Sequence, residues 1–187
     1  MDIVAARIHA FATPVDFGNW LAKYHVQESE IWLKIHKKSS GIVSVSWAEA
    51  IVEALAWGWI DGIKKSNDEN SWFQRFTPRK PKSSWSKKNR DHAEKLIADG
   101  RMQAAGLRTV VAAQSDGRWE SAYAGSSGME FPKAFLAAIA SNAAAKKTFD
   151  GLNRTQLYVV YHRLQTVKKE DTRQNLMRKV IEVLSRA

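Results

Sequence analysis

Residues 59–78 read WIDGIKKSNDENSWFQRFTP. Two short aromatic and β-branched runs, Trp59 to Lys65 and Ser71 to Thr77, flank the turn-like Asn67-Asp68-Glu69-Asn70. That pattern predicts a β-hairpin. In its second strand Phe73, Arg75 and Thr77 would share one face and Trp72, Gln74 and Phe76 the other, because side chains alternate along a strand. Pro78 and Pro81 end the pairing, since proline has no N–H to give to a ladder.

Upstream, Ser46-Trp47-Ala48-Glu49 is a capping box, with serine at the cap and glutamate three residues on. Ile51, Ala54 and Leu55 then form an apolar face, and Gly58 ends the helix. Before it, Glu30 to Lys37 reads EIWLKIHK. Ile31, Leu33 and Ile35 alternate with Trp32, Lys34 and His36, as in a half-buried strand. Ser39-Ser40-Gly41 breaks that run. Earlier still, Thr13-Pro14-Val15-Asp16 combines a cap, a first-turn proline and an acid facing the positive end of the dipole. Phe17, Trp20, Leu21 and Tyr24 follow at helical spacing.

Downstream of the hairpin, Ser84 or Ser86 caps a helix through roughly Asp99, and Gly100 stops it. Further helical patterns cover about 104–115, 132–140, 142–149, 154–166 and 171–185. Gly125-Ser126-Ser127-Gly128 is a loop, and Pro132 suits the start of the next helix. The expected fold is α+β: a small antiparallel sheet of about three strands, an N-terminal helical layer and a mainly α-helical C-terminal half. Residues 1–115 form the α+β domain and 116–187 a helical region packed on it, with 116–131 as the boundary.

The chain of 187 residues can bury a core, and its 44% hydrophobic content fits a globular protein. The net charge of +10 favours a polyanionic partner. With no cysteine, disulfides and thiolate chemistry are excluded. Asp2 and His9 interrupt the first residues, so no signal peptide is expected, and no window is apolar enough for a membrane span. A cytoplasmic location is the expectation; the oligomeric state stays open.

No phosphate-loop, dinucleotide, zinc-protease or nucleophile-elbow motif occurs. His9, His25, His36, His92 and His162 show no metal-ligand spacing. No cofactor and no metal is therefore expected. The charge is uneven: from Lys64 to Arg90 there are nine basic residues and two acids, a net +7. Trp59, Trp72, Phe73, Phe76 and Trp85 lie in or beside that window. Cations interleaved with rings suit single-stranded nucleic acid, a nucleotide or a sugar phosphate. Equally, the rings can be core and the lysines a solvated face. Lys87, Lys88 and Arg90 in a first helical turn oppose the dipole, which an anion seated there would offset. Asp61 is either a base or ligand contact, or a structural group that accepts from backbone N–H groups at a turn before Gly62 or pairs with Arg75 across the hairpin. The last 34 residues carry eight basic residues, Lys168 among them, against three acids. Leu176, Val180, Val183 and Leu184 would give their final helix one apolar stripe.

WLAKYHVQESEIWLKIHKKSSG, EALAWGWIDG, RFTPRKPKSSWSKKN and GRMQAAG, in this order, resemble the YdeI/OmpD-associated, or bacteriocin-protection, family from about Trp20 to the C-terminus. Trp59, Asp61, Arg75, Phe76, Pro78, Arg79, Ser84, Trp85, Ser86 and Asn89 occupy that family's motif positions. Asn175 and Leu176 depart from it, standing where further basic residues are usual. The resemblance implies a small bacterial protein linked to envelope stress or protection from antibacterial peptides, and no known reaction.

The expected function is non-enzymatic stress protection by binding an anionic ligand, a phosphate-containing small molecule or a nucleic acid. Arg75, Arg79 and Lys80 would supply charge. Thr77, Ser84, Ser86 and Asn89 would supply polar contacts, and Trp59 and Trp85 a wall. Two alternatives stay open. One is an enzyme acting on a phosphorylated or sugar-like molecule, with Asp61 as base. The other is a protein-interaction module built on exposed tryptophans.

Overall fold

The computed structural model describes residues 3–167 and 169–186, so Asp2 and Lys168 lie outside the described residues. In chain order the elements are β1 (Ile8–His9), α1 (Pro14–Tyr24), β2 (Ile31–His36), α2 (Trp47–Ala56), β3 (Trp59–Ser66), β4 (Ser71–Pro78), α3 (Lys87–Ala98) and α4 (Ala104–Ser115). Then come α5 (Lys133–Ala140), α6 (Ala143–Asp150), α7 (Arg154–Thr166) and α8 (Glu170–Arg186). The class is α+β, as the sequence indicates.

The hairpin of β3 and β4 forms as predicted, with Trp59 opposite Pro78 and Ser66 opposite Trp72. Its turn is tied by Asp68. That carboxylate accepts from the Ser71 hydroxyl and the Asn70 N–H, each at 2.8 Å, and from the Asn67 amide at 2.7 Å. The Ser71 hydroxyl, then the Asn70 N–H, hold the Asp68 carboxyl below the usual carboxylate range. The ladder shifts register between Asp61 and Lys64, a bulge on β3.

The sheet has four strands in the order β1-β2-β4-β3, not three. The extra one, β1, is two residues long and parallel to β2. Two residues carry no alternation, so nothing in the local sequence marks them as a strand.

Both N-terminal helices start at reciprocal caps. Thr13 Oγ1 accepts from Asp16 N at 3.2 Å, and the Asp16 carboxylate accepts from Thr13 N at 3.0 Å. Ser46 and Glu49 do the same for α2. The Ser46 hydroxyl and backbone hold the Glu49 carboxyl below its usual range. Phe17 and Leu21 of α1, Ile51, Ala54 and Leu55 of α2, Ile31, Leu33 and Ile35 of β2, and Phe76 of β4 are buried. The Phe17 and Phe76 rings meet at 5.5 Å. Trp32 departs from the expected alternation: it is 5% exposed, with the Lys65 ammonium 5.5 Å from its ring.

The chain forms two compact units, Met1–Ser83 with Asn89–Glu120, and Ser84–Lys88 with Ser121–Ala187. The first holds the sheet. In the second, Phe135, Ile139, Ala145, Leu164 and Leu184 form a core. Leu176, Val180 and Ile181 of α8 pack against it, whereas Val183 is exposed and takes no part.

Candidate functional site

Two glycines set the site in the first unit. Gly58 follows α2 at φ +75°, a left-handed conformation that glycine adopts without strain. Its C=O accepts from Arg79 N at 2.9 Å, which pins the chain just beyond β4 to the start of β3. Gly106 lies inside α4. A Cβ there would stand 2.7 Å from the Leu55 carbonyl oxygen and closer still to that of Ala56. Only glycine lets α4 approach the end of α2 so nearly, and Gln103 N seals the approach by donating to Ala56 O at 3.1 Å. Ala105, Arg108, Thr109 and Ala112 then share one helical face, at spacings of three and four.

That face helps line a pocket of about 360 Å³. Arg79, Lys80, Arg108 and Arg118 contribute to its wall, together with Trp57 and His25. Among the described residues that line it, none is acidic. Arg79 and Arg118 are almost buried, at 8% and 5% exposure. Arg118 donates through Nε to both Asp116 carboxylate oxygens at 2.7 Å and through Nη1 to Ser83 O at 2.9 Å. The His25 and Trp57 rings sit 4.7 Å apart, inclined at 46°. His25 Nδ1 lies 2.9 Å from the Leu21 carbonyl oxygen, which can only accept, so Nδ1 donates.

Of the residues expected from sequence, Trp59, Arg79 and Lys80 come together in this pocket. Trp59 is 1% exposed and donates from Nε1 to His25 O at 3.3 Å, so it acts as wall and core. Thr77 pairs with Ile60 in the ladder and is not among the lining residues. Arg75 is also outside the pocket: it binds Glu30 at 2.5–2.7 Å, and Arg7 holds the same carboxylate at 2.8 Å. Arg7, with Arg75 beside it, keeps the Glu30 carboxyl below its usual range despite partial burial. Arg75 is thus paired with Glu30 rather than with Asp61. Asp61 accepts from Trp47 Nε1 at 3.3 Å and does not line the pocket.

Ser84, Trp85 and Ser86 belong to the second unit and Asn89 to the first. Trp85 is 1% exposed, and its C=O accepts from Tyr123 N at 3.0 Å. Ser86 bridges to Tyr123, and the first N–H of α3, from Lys87, donates to Tyr123 O at 2.8 Å. The chain therefore uses part of the helix terminus where the sequence suggested an anion. Arg90 lies 3.6 Å from Glu94 one turn on, which balances one of the three cations there.

His25, Trp57, Arg108 and Arg118 have no counterpart among the expected site residues. One signal pointed toward Arg108: the run Ala105, Arg108, Thr109, Ala112 is a helix face of small residues broken by one cation. His25 and Trp57 gave none, because they cap the C-terminal ends of α1 and α2 and meet only after folding.

Residues 128–187 match the family described as Bacteriocin-protection, YdeI or OmpD-Associated. The expected family is thus found over the C-terminal part of the chain, while GWIDG and RFTPRK lie inside a different match. No curated protein and no solved structure matches the chain. The remaining match is to the family described as Domain of unknown function (DUF8412), over residues 9–109, more than half of the chain; to that family the protein belongs, with the bacteriocin-protection, YdeI or OmpD-associated region following it.

Proposed function

We propose that this is a bacteriocin-protection-type protein that acts by binding an anionic ligand in the pocket walled by Arg79, Lys80, Arg108 and Arg118. The C-terminal family match supports the first half of that reading. The second half rests on one observation: four cationic side chains converge on about 360 Å³ whose lining residues include no acid. Gathering like charges costs Coulomb energy, which Asp116 offsets at Arg118. An anion in the pocket reverses the sign of those interactions, and charge-assisted hydrogen bonds from arginine add to them. The enzymatic alternative finds no support in this geometry, because Asp61 and Arg75 stand outside the pocket.

Thermal melting in low salt with phosphate, pyrophosphate and citrate tests the reading. A ligand at a hundred times its Kd stabilises by about 2.7 kcal/mol. For a chain of this length that is a rise of roughly 5–11 °C. Raising the salt tenfold should remove most of it, and Arg108→Ala should reduce it. No shift with any anion, or one indifferent to both salt and the substitution, would refute the assignment.

A further inference from the structure

We infer that the pocket takes a phosphate monoester carrying a single planar ring, of mononucleotide size, and not a nucleic-acid strand. This rests on the anion-binding reading above and narrows it. A strand binder needs a succession of open rings on which successive bases stack. Here three rings of the basic window are withdrawn, Trp59 and Trp85 at 1% exposure and Phe76 at 0%, and Phe73 is half-buried. Trp72 is half-buried beneath the Lys64 ammonium, 4.5 Å from its ring. What remains at the pocket is one pair, half-buried Trp57 and His25, inclined at 46°. The two rings touch each other, so a flat ring would lie against their outer, pocket-facing side, with room for one.

The charge fits the same class. A phosphate monoester carries between one and two negative charges at neutral pH, with three strong acceptor oxygens. Arg79, Lys80 and Arg108 meet them with planar forks and a point charge, while Arg118 is steadied by Asp116. The volume of about 360 Å³ stands at the small end of the range for small-molecule pockets, roughly 300–1,000 Å³. The polar and flat parts of the site therefore suit one phosphate and one ring.

Calorimetric titration in low salt separates the possibilities. The probes are adenosine and uridine monophosphates, adenosine, ribose 5-phosphate, inorganic phosphate and a twelve-residue oligothymidylate. The monophosphates should bind at least tenfold tighter than either adenosine or ribose 5-phosphate. Arg108→Ala, on an exposed position of α4, should weaken both phosphates about tenfold and leave adenosine unchanged. Trp57→Leu should narrow the gap between the monophosphates and ribose 5-phosphate. Equal binding of ribose 5-phosphate, inorganic phosphate and the monophosphates would overturn the ring assignment and leave the anion reading standing. Oligothymidylate binding more tightly, with several nucleotides per site, would overturn it in favour of a strand. Absence of binding by every phosphate would overturn both.

Discussion

Adding one methyl group at Gly106 tests whether the approach of α4 to α2 builds the pocket. By helix propensity alone, Gly106→Ala should stabilise, since alanine is favoured over glycine in a helix interior by about 1 kcal/mol. The packing says the reverse. The new Cβ would stand 2.5 Å from Met102 Sδ, which can swing away, and 2.7 Å from Leu55 O, which cannot. The Ala56 oxygen is nearer still. To bring both oxygens to ordinary contact α4 has to retreat by about an ångström, and a gap of that size forfeits about half of the dispersion energy across it. Overpacking of this kind costs about 1–3 kcal/mol. Stretching the Gln103–Ala56 hydrogen bond, 3.1 Å long, adds about 1 kcal/mol. Against the propensity gain, the net loss is about 2 kcal/mol, or a fall of roughly 4–8 °C in Tm. Scanning calorimetry reads this directly. Gly125→Ala is the control, because a Cβ there meets nothing within 4 Å and its φ is −70°. Anion affinity should fall along with Tm, since Arg108 rides on the displaced helix. A Gly106→Ala protein that melts at or above the parent temperature would refute the packing argument.

Glu30→Gln should cost about 1 kcal/mol by releasing Arg7 and Arg75 together, and should flatten the acid limb of the stability curve. The folded Glu30 carboxyl lies below its unfolded value, so its contribution is complete above about pH 4.3 and is lost as pH falls through the lower folded value. Urea titrations at several acid pH values check this, and identical slopes for parent and variant would contradict it. Ser46→Ala removes the acceptor for Glu49 N and should lower stability by about 1 kcal/mol, or 2–4 °C in Tm; an unchanged melt would show that the cap is dispensable.

The legible parts of the fold are those written in local chemistry. The capping pairs Thr13–Asp16 and Ser46–Glu49 fix two helix starts within three residues, and Asp68 closes the hairpin with its own neighbours. β1 was not legible because its two residues become a strand only by lying alongside Trp32 and Leu33. The site divides in the same way. Arg79 and Lys80 follow β4 directly and are carried to the pocket by a turn the prolines announce. Arg75 has the same charge four residues earlier, but Glu30 on the neighbouring chain segment holds it elsewhere. Trp59 and Trp85 looked like platforms because sequence cannot tell an open ring from a covered one. Arg108 joins Arg79 through the close packing of α4 that Gly106 permits, and Arg118 through its bonds to Asp116 and the Ser83 carbonyl.

The bulge on β3 has a further consequence, for solubility. A sheet edge with unpaired N–H and C=O groups is a template on which another chain can grow. This sheet has two such edges. One is β1, too short to template anything. The other is β3, eight residues long, with Gly62, Ile63 and Lys64 exposed. An approaching strand would meet a ladder out of step between Asp61 and Lys64, and would have to strip water from Lys64 beside it. The irregularity that interrupts pairing with β4 thus guards the outer side of the same strand, and substituting both a regular register and an apolar residue there would turn a harmless margin into a seed for aggregation.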